Sequence, residues 1–96
     1  MAVFPVDLRV AGWPCLVVGG GHVASRRITS LLAAGARVTV VAPRLERPLR
    51  SRASTGELVW LGRAFRAGDC AGMRLVLVAV DDPAVGGLVH AEARSV

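Results

Sequence analysis

Gly19, Gly20 and Gly21 stand between an apolar run, Cys15-Leu-Val-Val18, and a stretch whose apolar residues recur at helical spacing. Read as Gly19-Gly20-Gly21-His22-Val23-Ala24, they fit G-x-G-x-x-A, the dinucleotide fingerprint with alanine in its third small position. The chemistry of such a loop is phosphate binding. A glycine turn delivers the anion to backbone N–H groups at a helix start, where the helix dipole favours negative charge. Gly19 would make the tight turn, Gly21 would admit a pyrophosphate against the backbone, and Ala24 would let helix and strand approach closely. The pattern has little weight in isolation; a strand before it and a helix after it supply the context it needs.

One expected group is missing. NAD sites of this kind commonly carry Asp or Glu about 20 residues beyond the glycines, to hold the ribose hydroxyls. This chain has Val41-Ala42-Pro43-Arg44 there. An arginine suits the 2′-phosphate of NADP, and main-chain groups at the strand end would suit NAD, so the residues leave both open.

The other chemistry-bearing residues are sparse. Asp81 and Asp82 follow an apolar strand; Asp82-Pro83 reads first as a helix N-cap with proline at N1. His22 and His90 fall on separate helices without ligand spacing, so no metal site is expected. Cys15 and Cys70 form no C-x-x-C and read as small buried hydrophobes. All 12 basic residues are arginine, giving a net charge of +5 that favours anionic partners. The densest group, Arg44, Arg47, Arg50 and Arg52, reads equally as a solvated face.

The elements that must hold the loop follow from periodicity. Pro14–Val18 is a short apolar strand ended by glycine, and Arg37–Val41 is a β-branched one stopped by Ala42-Pro43. Between them, Ala24, Ile28, Leu31 and Leu32 give residues 22–34 a helical stripe, with Gly35 at its C-terminal cap. A short helix is predicted over 45–53, limited by Pro48, then strands over 57–61 and 75–79 and a helix from Asp82 towards Ala93. Strands alternating with helices predict a Rossmann-like α/β domain, a doubly wound parallel sheet filling residues 1–96 and incomplete at its C-terminal end.

The stretches "FPVDLRVAGWPCLVVGGGHVASRRITSLLAAGARVTVVAP" and "LVAVDDPAV" resemble the N-terminal NAD-binding domain of siroheme synthases and precorrin-2 dehydrogenases, many of which are also sirohydrochlorin ferrochelatases. The resemblance runs along essentially the whole chain. It implies NAD-dependent oxidation of precorrin-2, a tetrapyrrole rich in carboxylates, to sirohydrochlorin. It also implies cofactor contacts at His22 and Val23 after the glycines, and at Pro43 and Arg44 after the second strand. That family lacks the ribose-binding acid too, which favours NAD over NADP. Its general-base aspartate follows the next strand, beyond Val96, so no catalytic residue is assigned and these 96 residues are expected to be inactive by themselves. A homodimer is implied for the full-length protein. Departures from the family pattern are Arg27 for lysine, Val80 for threonine and Gly86 for asparagine.

Two other classes fit the sequence less well. A non-catalytic NAD-sensing domain would usually keep an acid at the end of the second strand, which is absent here. Nucleic acid is suggested by charge alone, since the four aromatics fall in no recognition motif. No apolar run approaches the ~20 residues of a membrane span. The first seven residues lack the features of a secretory signal, so a cytoplasmic protein is expected.

Overall fold

Strand β1, Pro14–Val18, is apolar throughout because both of its faces are covered. Cys15 and Val17 enter one apolar cluster, Leu16 and Val18 the cluster on the opposite face. The computed structural model describes residues 8–80, together with Gly87 and Ala91, which are helical. After β1 come helix α1, His22–Ala33; strand β2, Arg37–Val41; helix α2, Arg47–Ser54; strand β3, Val59–Leu61; and strand β4, Leu75–Val78. All four strands are parallel, in the order β3-β2-β1-β4. The expected helix from Asp82 towards Ala93, and the capping role of Asp82, lie outside the described residues.

α1 and α2 bury their apolar stripes on one face of the sheet, with Ala24, Ile28 and Leu31 from α1 and Leu49 from α2. The connection from β3 to β4 covers the other face with Phe65, Cys70 and Met73. Cys15 and Cys70 are fully buried on opposite faces, in no disulfide, as small hydrophobes. α1 stops at a left-handed glycine. Gly35 has φ 84° and donates to the Leu32 carbonyl, while Ala36 donates to that of Leu31. That is the Schellman pattern, and Leu31 and Ala36 pack in the same cluster beside it.

Two elements begin two residues later than expected, and α1 and β4 each end one residue early. α2 begins at Arg47 rather than Leu45, because Glu46 is the N-cap and its carbonyl takes the first helical bonds from Leu49 and Arg50. β3 begins at Val59 rather than Glu57. Glu57 belongs to the preceding turn: its N–H bonds the Arg52 carbonyl, and its carboxylate accepts from Arg52 Nε at 3.1 Å and Thr55 Oγ1 at 3.0 Å.

Candidate functional site: a cleft beneath the glycine loop

β1 lies between β2 on one side and β4 on the other, so its C-terminal end sits where the strand order reverses. Open α/β sheets bind ligands at that point. The glycine loop leaves β1 there, and its three members do different things. Gly19 has φ 129° and donates to the Val41 carbonyl at 3.0 Å. A Cβ on it would come within 2.6 Å of the Ala79 carbonyl oxygen, so glycine is needed for both conformation and space. A Cβ on Gly20 would overlap the Arg44 carbonyl oxygen. Gly21 is the N-cap of α1, in ordinary extended conformation, and a Cβ there would meet nothing among the described residues.

Among the described residues no side chain caps α1, and no acid lies in its first turn. Gly21 opens onto a cleft of about 490 Å³. Gly19, Gly20, Gly21, Pro43 and Arg44 line it together with Val18, Val41, Ala42, Ala64, Phe65 and Val80. His22 and Val23 line an adjoining groove of about 350 Å³ with Gly21 and Val78 to Val80. All seven candidate residues therefore border one or other of two cavities that share Gly21 and Val80. The donor set is an uncapped helix start, an exposed arginine and apolar walls, which suits an anion joined to flat apolar groups.

The walls are braced from outside the cleft. Trp60 Nε1 donates to the Ala42 carbonyl at 2.9 Å, and Glu46 N–H donates to the Gly20 carbonyl at 3.2 Å. Ser25 Oγ donates to Glu46 Oε2 at 2.8 Å, and His22 Nδ1 lies 4.0 Å from Glu46 Oε1. This carboxylate does not replace the missing ribose acid, because it faces a separate groove between α1 and α2. With both side chains well exposed, the His22–Glu46 pair contributes little by itself.

Sequence reasoning assigned no role to Ala64 and Phe65, which fall between the strands expected over 57–61 and 75–79. The available signal was their position just beyond the C-terminal end of β3, the edge where sites form. Arg63 and Asp69 close the segment that contains them. The Arg63 guanidinium holds the Asp69 carboxyl below the usual carboxylate range, with the Arg66 N–H assisting. A depressed folded value means that the contribution of Asp69 to stability is complete above about pH 4, the ordinary Asp value. It is lost as pH falls through the folded value. Thermal unfolding should therefore show a gap between wild type and Asp69→Asn that is constant from about pH 7 to 5 and closes below about pH 4. A gap that widened on acidification would contradict the assignment.

Comparison with known proteins agrees with this geometry. The NAD_binding_7 family model, described as NAD(P)-binding, matches residues 6–96. Siroheme synthase of Actinobacillus pleuropneumoniae serotype 3 is 41% identical over 95 residues, 99% of this chain and 20% of that protein. Siroheme synthase of Chromobacterium violaceum is 43% identical, with the same coverage. A solved structure of SirC, precorrin-2 dehydrogenase, superposes with a TM-score of 0.85 at 34% identity, covering 92% of this chain and 44% of that one. The chain thus spans about a fifth of the length of these curated relatives.

Proposed function

The chain belongs to the NAD(P)-binding family, and on that footing we propose that it binds NAD as the cofactor domain of an enzyme oxidising precorrin-2 to sirohydrochlorin in siroheme biosynthesis. The observation that carries the reading is the uncapped start of α1 at Gly21, opening onto the cleft at the strand-order reversal. The fit is steric as well as electrostatic, because Gly21 is the one glycine of the three with no atom of the described residues near its missing Cβ.

In this reading the N–H groups of the first turn of α1 hold the pyrophosphate. His22 and Val23 direct one half of the dinucleotide towards β4, while Pro43 and Arg44 border the ribose at the end of β2. Val78 to Val80 give the β4 side an apolar border that limits water. When bound, NAD supplies the hydride acceptor. The similarity to siroheme synthases and to a precorrin-2 dehydrogenase supports the tetrapyrrole as substrate, and the arginine excess would attract its carboxylates. Homodimerisation of the full-length protein belongs to the same proposal.

The choice between NAD and NADP turns on Arg44. Its side chain is exposed at the end of β2, where a 2′-phosphate would sit, yet the family resemblance supports NAD. Calorimetric titration should give tighter binding of NAD than of NADP, with the preference unchanged in Arg44→Ala. Tighter NADP binding that Arg44→Ala abolishes would reverse the cofactor assignment. NADH absorbance followed with precorrin-2 and NAD tests the reaction itself. Among the described residues no carboxylate lines the cleft. Failure to bind either dinucleotide would remove the proposal.

A further inference from the structure

The segment after β3 carries a bracket whose function the fingerprint does not explain. Arg63 grips Asp69 with both guanidinium nitrogens, Nη1 to Oδ2 at 2.9 Å and Nη2 to Oδ1 at 2.8 Å. Arg63 Nη1 also donates to the Ala64 carbonyl at 3.1 Å, and the Arg66 N–H donates to Asp69 Oδ2 at 2.7 Å. The Asp69 side chain is only 8% exposed. Such a fork-to-fork pair fixes orientation as well as distance. Phe65 lies inside the bracket. It is half-buried, packs on the cluster of Leu16, Val18, Val41 and Cys70, and also lines the cleft. Neither Arg63 nor Asp69 lines the cleft, so any effect they have on a ligand passes through Ala64 and Phe65.

The cleft has chemically distinct arms. From Gly21 one arm runs along the end of β2 to Pro43, Ala64 and Phe65; the other runs past His22 and Val23 to β4. The ribose that lies at the end of the second strand is the adenosine one, since that is where NADP places its 2′-phosphate. The ring beyond that ribose is therefore adenine, and the wall it meets is apolar and aromatic. We propose that Phe65 is the face against which adenine packs, and that the Arg63–Asp69 pair is a positioning element that holds it there. The proposal rests on the dinucleotide reading of the cleft. Its physical basis is pre-organisation: a seven-residue turn fixed before binding need not be ordered by the ligand.

Titration of NAD, ADP and nicotinamide mononucleotide into wild type, Phe65→Ala, Phe65→Trp and Asp69→Asn tests it. Phe65→Ala should weaken NAD and ADP by the same factor, at least about tenfold, as loss of base–aromatic stacking does. Binding of nicotinamide mononucleotide, which has no adenine, should not change, and Phe65→Trp should retain the wild-type pattern. Asp69→Asn keeps every cleft side chain; it should show the same selective loss, roughly threefold to fivefold, with its circular dichroism unchanged. It decides the matter if Phe65→Ala does not fold. Wild-type binding of NAD with undiminished affinity in both Phe65→Ala and Asp69→Asn would overturn the inference and leave the dinucleotide reading intact. Equal weakening of all three ligands would also overturn it, by showing a general loss of structure. Absence of NAD and ADP binding in wild type would instead overturn the dinucleotide reading, and the inference with it.

Discussion

Alanine at Gly20 will lower the melting temperature of the domain by roughly 12–24 °C, whereas valine at Gly21 will leave it folded and weaken NAD at least about tenfold. The two glycines are adjacent, so the contrast isolates what each is for. The Cβ of an alanine at Gly20 would fall on the Arg44 carbonyl oxygen and close against the Ala42 side chain. Both belong to the chain leaving β2, which is backbone anchored on buried Leu45 and cannot swing aside like a surface side chain. Forcing it away also breaks the bond from Glu46 N–H to the Gly20 carbonyl. Overpacking of this kind costs about 3 kcal/mol, and a domain this size shifts roughly 4–8 °C per kcal/mol. Gly21 has ordinary extended dihedrals and empty space at its Cβ position, so valine loses only an N-cap preference, about 1 kcal/mol. Its branched side chain would instead occupy the volume that the pyrophosphate needs, and a tenfold loss corresponds to about 1.4 kcal/mol. Thermal unfolding with and without NAD reads both effects. A Gly21→Val protein with undiminished NAD affinity would take these glycines out of the site.

This division of labour was only partly legible in the residues. The tight turn at Gly19 follows from the fingerprint, as does the ligand role proposed for Gly21, and β1, α1 and β2 lie where periodicity places them, α1 ending one residue early. Their signals are strong because each is long, apolar on a definite period and closed by glycine or proline. Gly20 carries no such signal; its constraint is the passage of Arg44 across it, a contact between segments 24 residues apart. The same holds for Glu46, whose carboxylate accepts from Ser25 on the neighbouring helix, and for Trp60, whose indole bonds the Ala42 carbonyl. Side-chain bonds across elements leave no periodicity. The start of β3 was misplaced for a local reason: Glu57 satisfies Arg52 and Thr55 in a turn, which competes with extension into the sheet. Phe65 was hidden by its setting of Arg63, Arg66 and Asp69, which reads as a solvated loop until the bidentate pair is seen to fold it inward.

Ile28→Ala will destabilise the domain by about 3 kcal/mol while leaving the increment that NAD adds to its stability unchanged. Ile28 is fully buried on α1, between Ala24 and Leu31, in the cluster that holds the helix against β1 and β2. Removing three carbons there loses their transfer free energy and leaves a cavity that neighbours on two strands cannot readily fill. For a domain with a total stability near 5 kcal/mol, that is most of its margin. Yet Ile28 lies six residues beyond His22, about 9 Å along the helix, and does not line the cleft. Ligand binding to the folded state adds a stabilisation set only by concentration and affinity, about 2.7 kcal/mol at one hundred times Kd. An intact site must therefore deliver that increment from a lower starting point. Gly21→Val should do the opposite, with the stability nearly kept and the increment lost. If Ile28→Ala abolished the NAD increment at a temperature where circular dichroism showed the protein folded, the first turn of α1 would not be a pre-formed site. The phosphate-binding geometry would then depend on packing two turns away, and the assignment of the cofactor to the helix start would have to be revised.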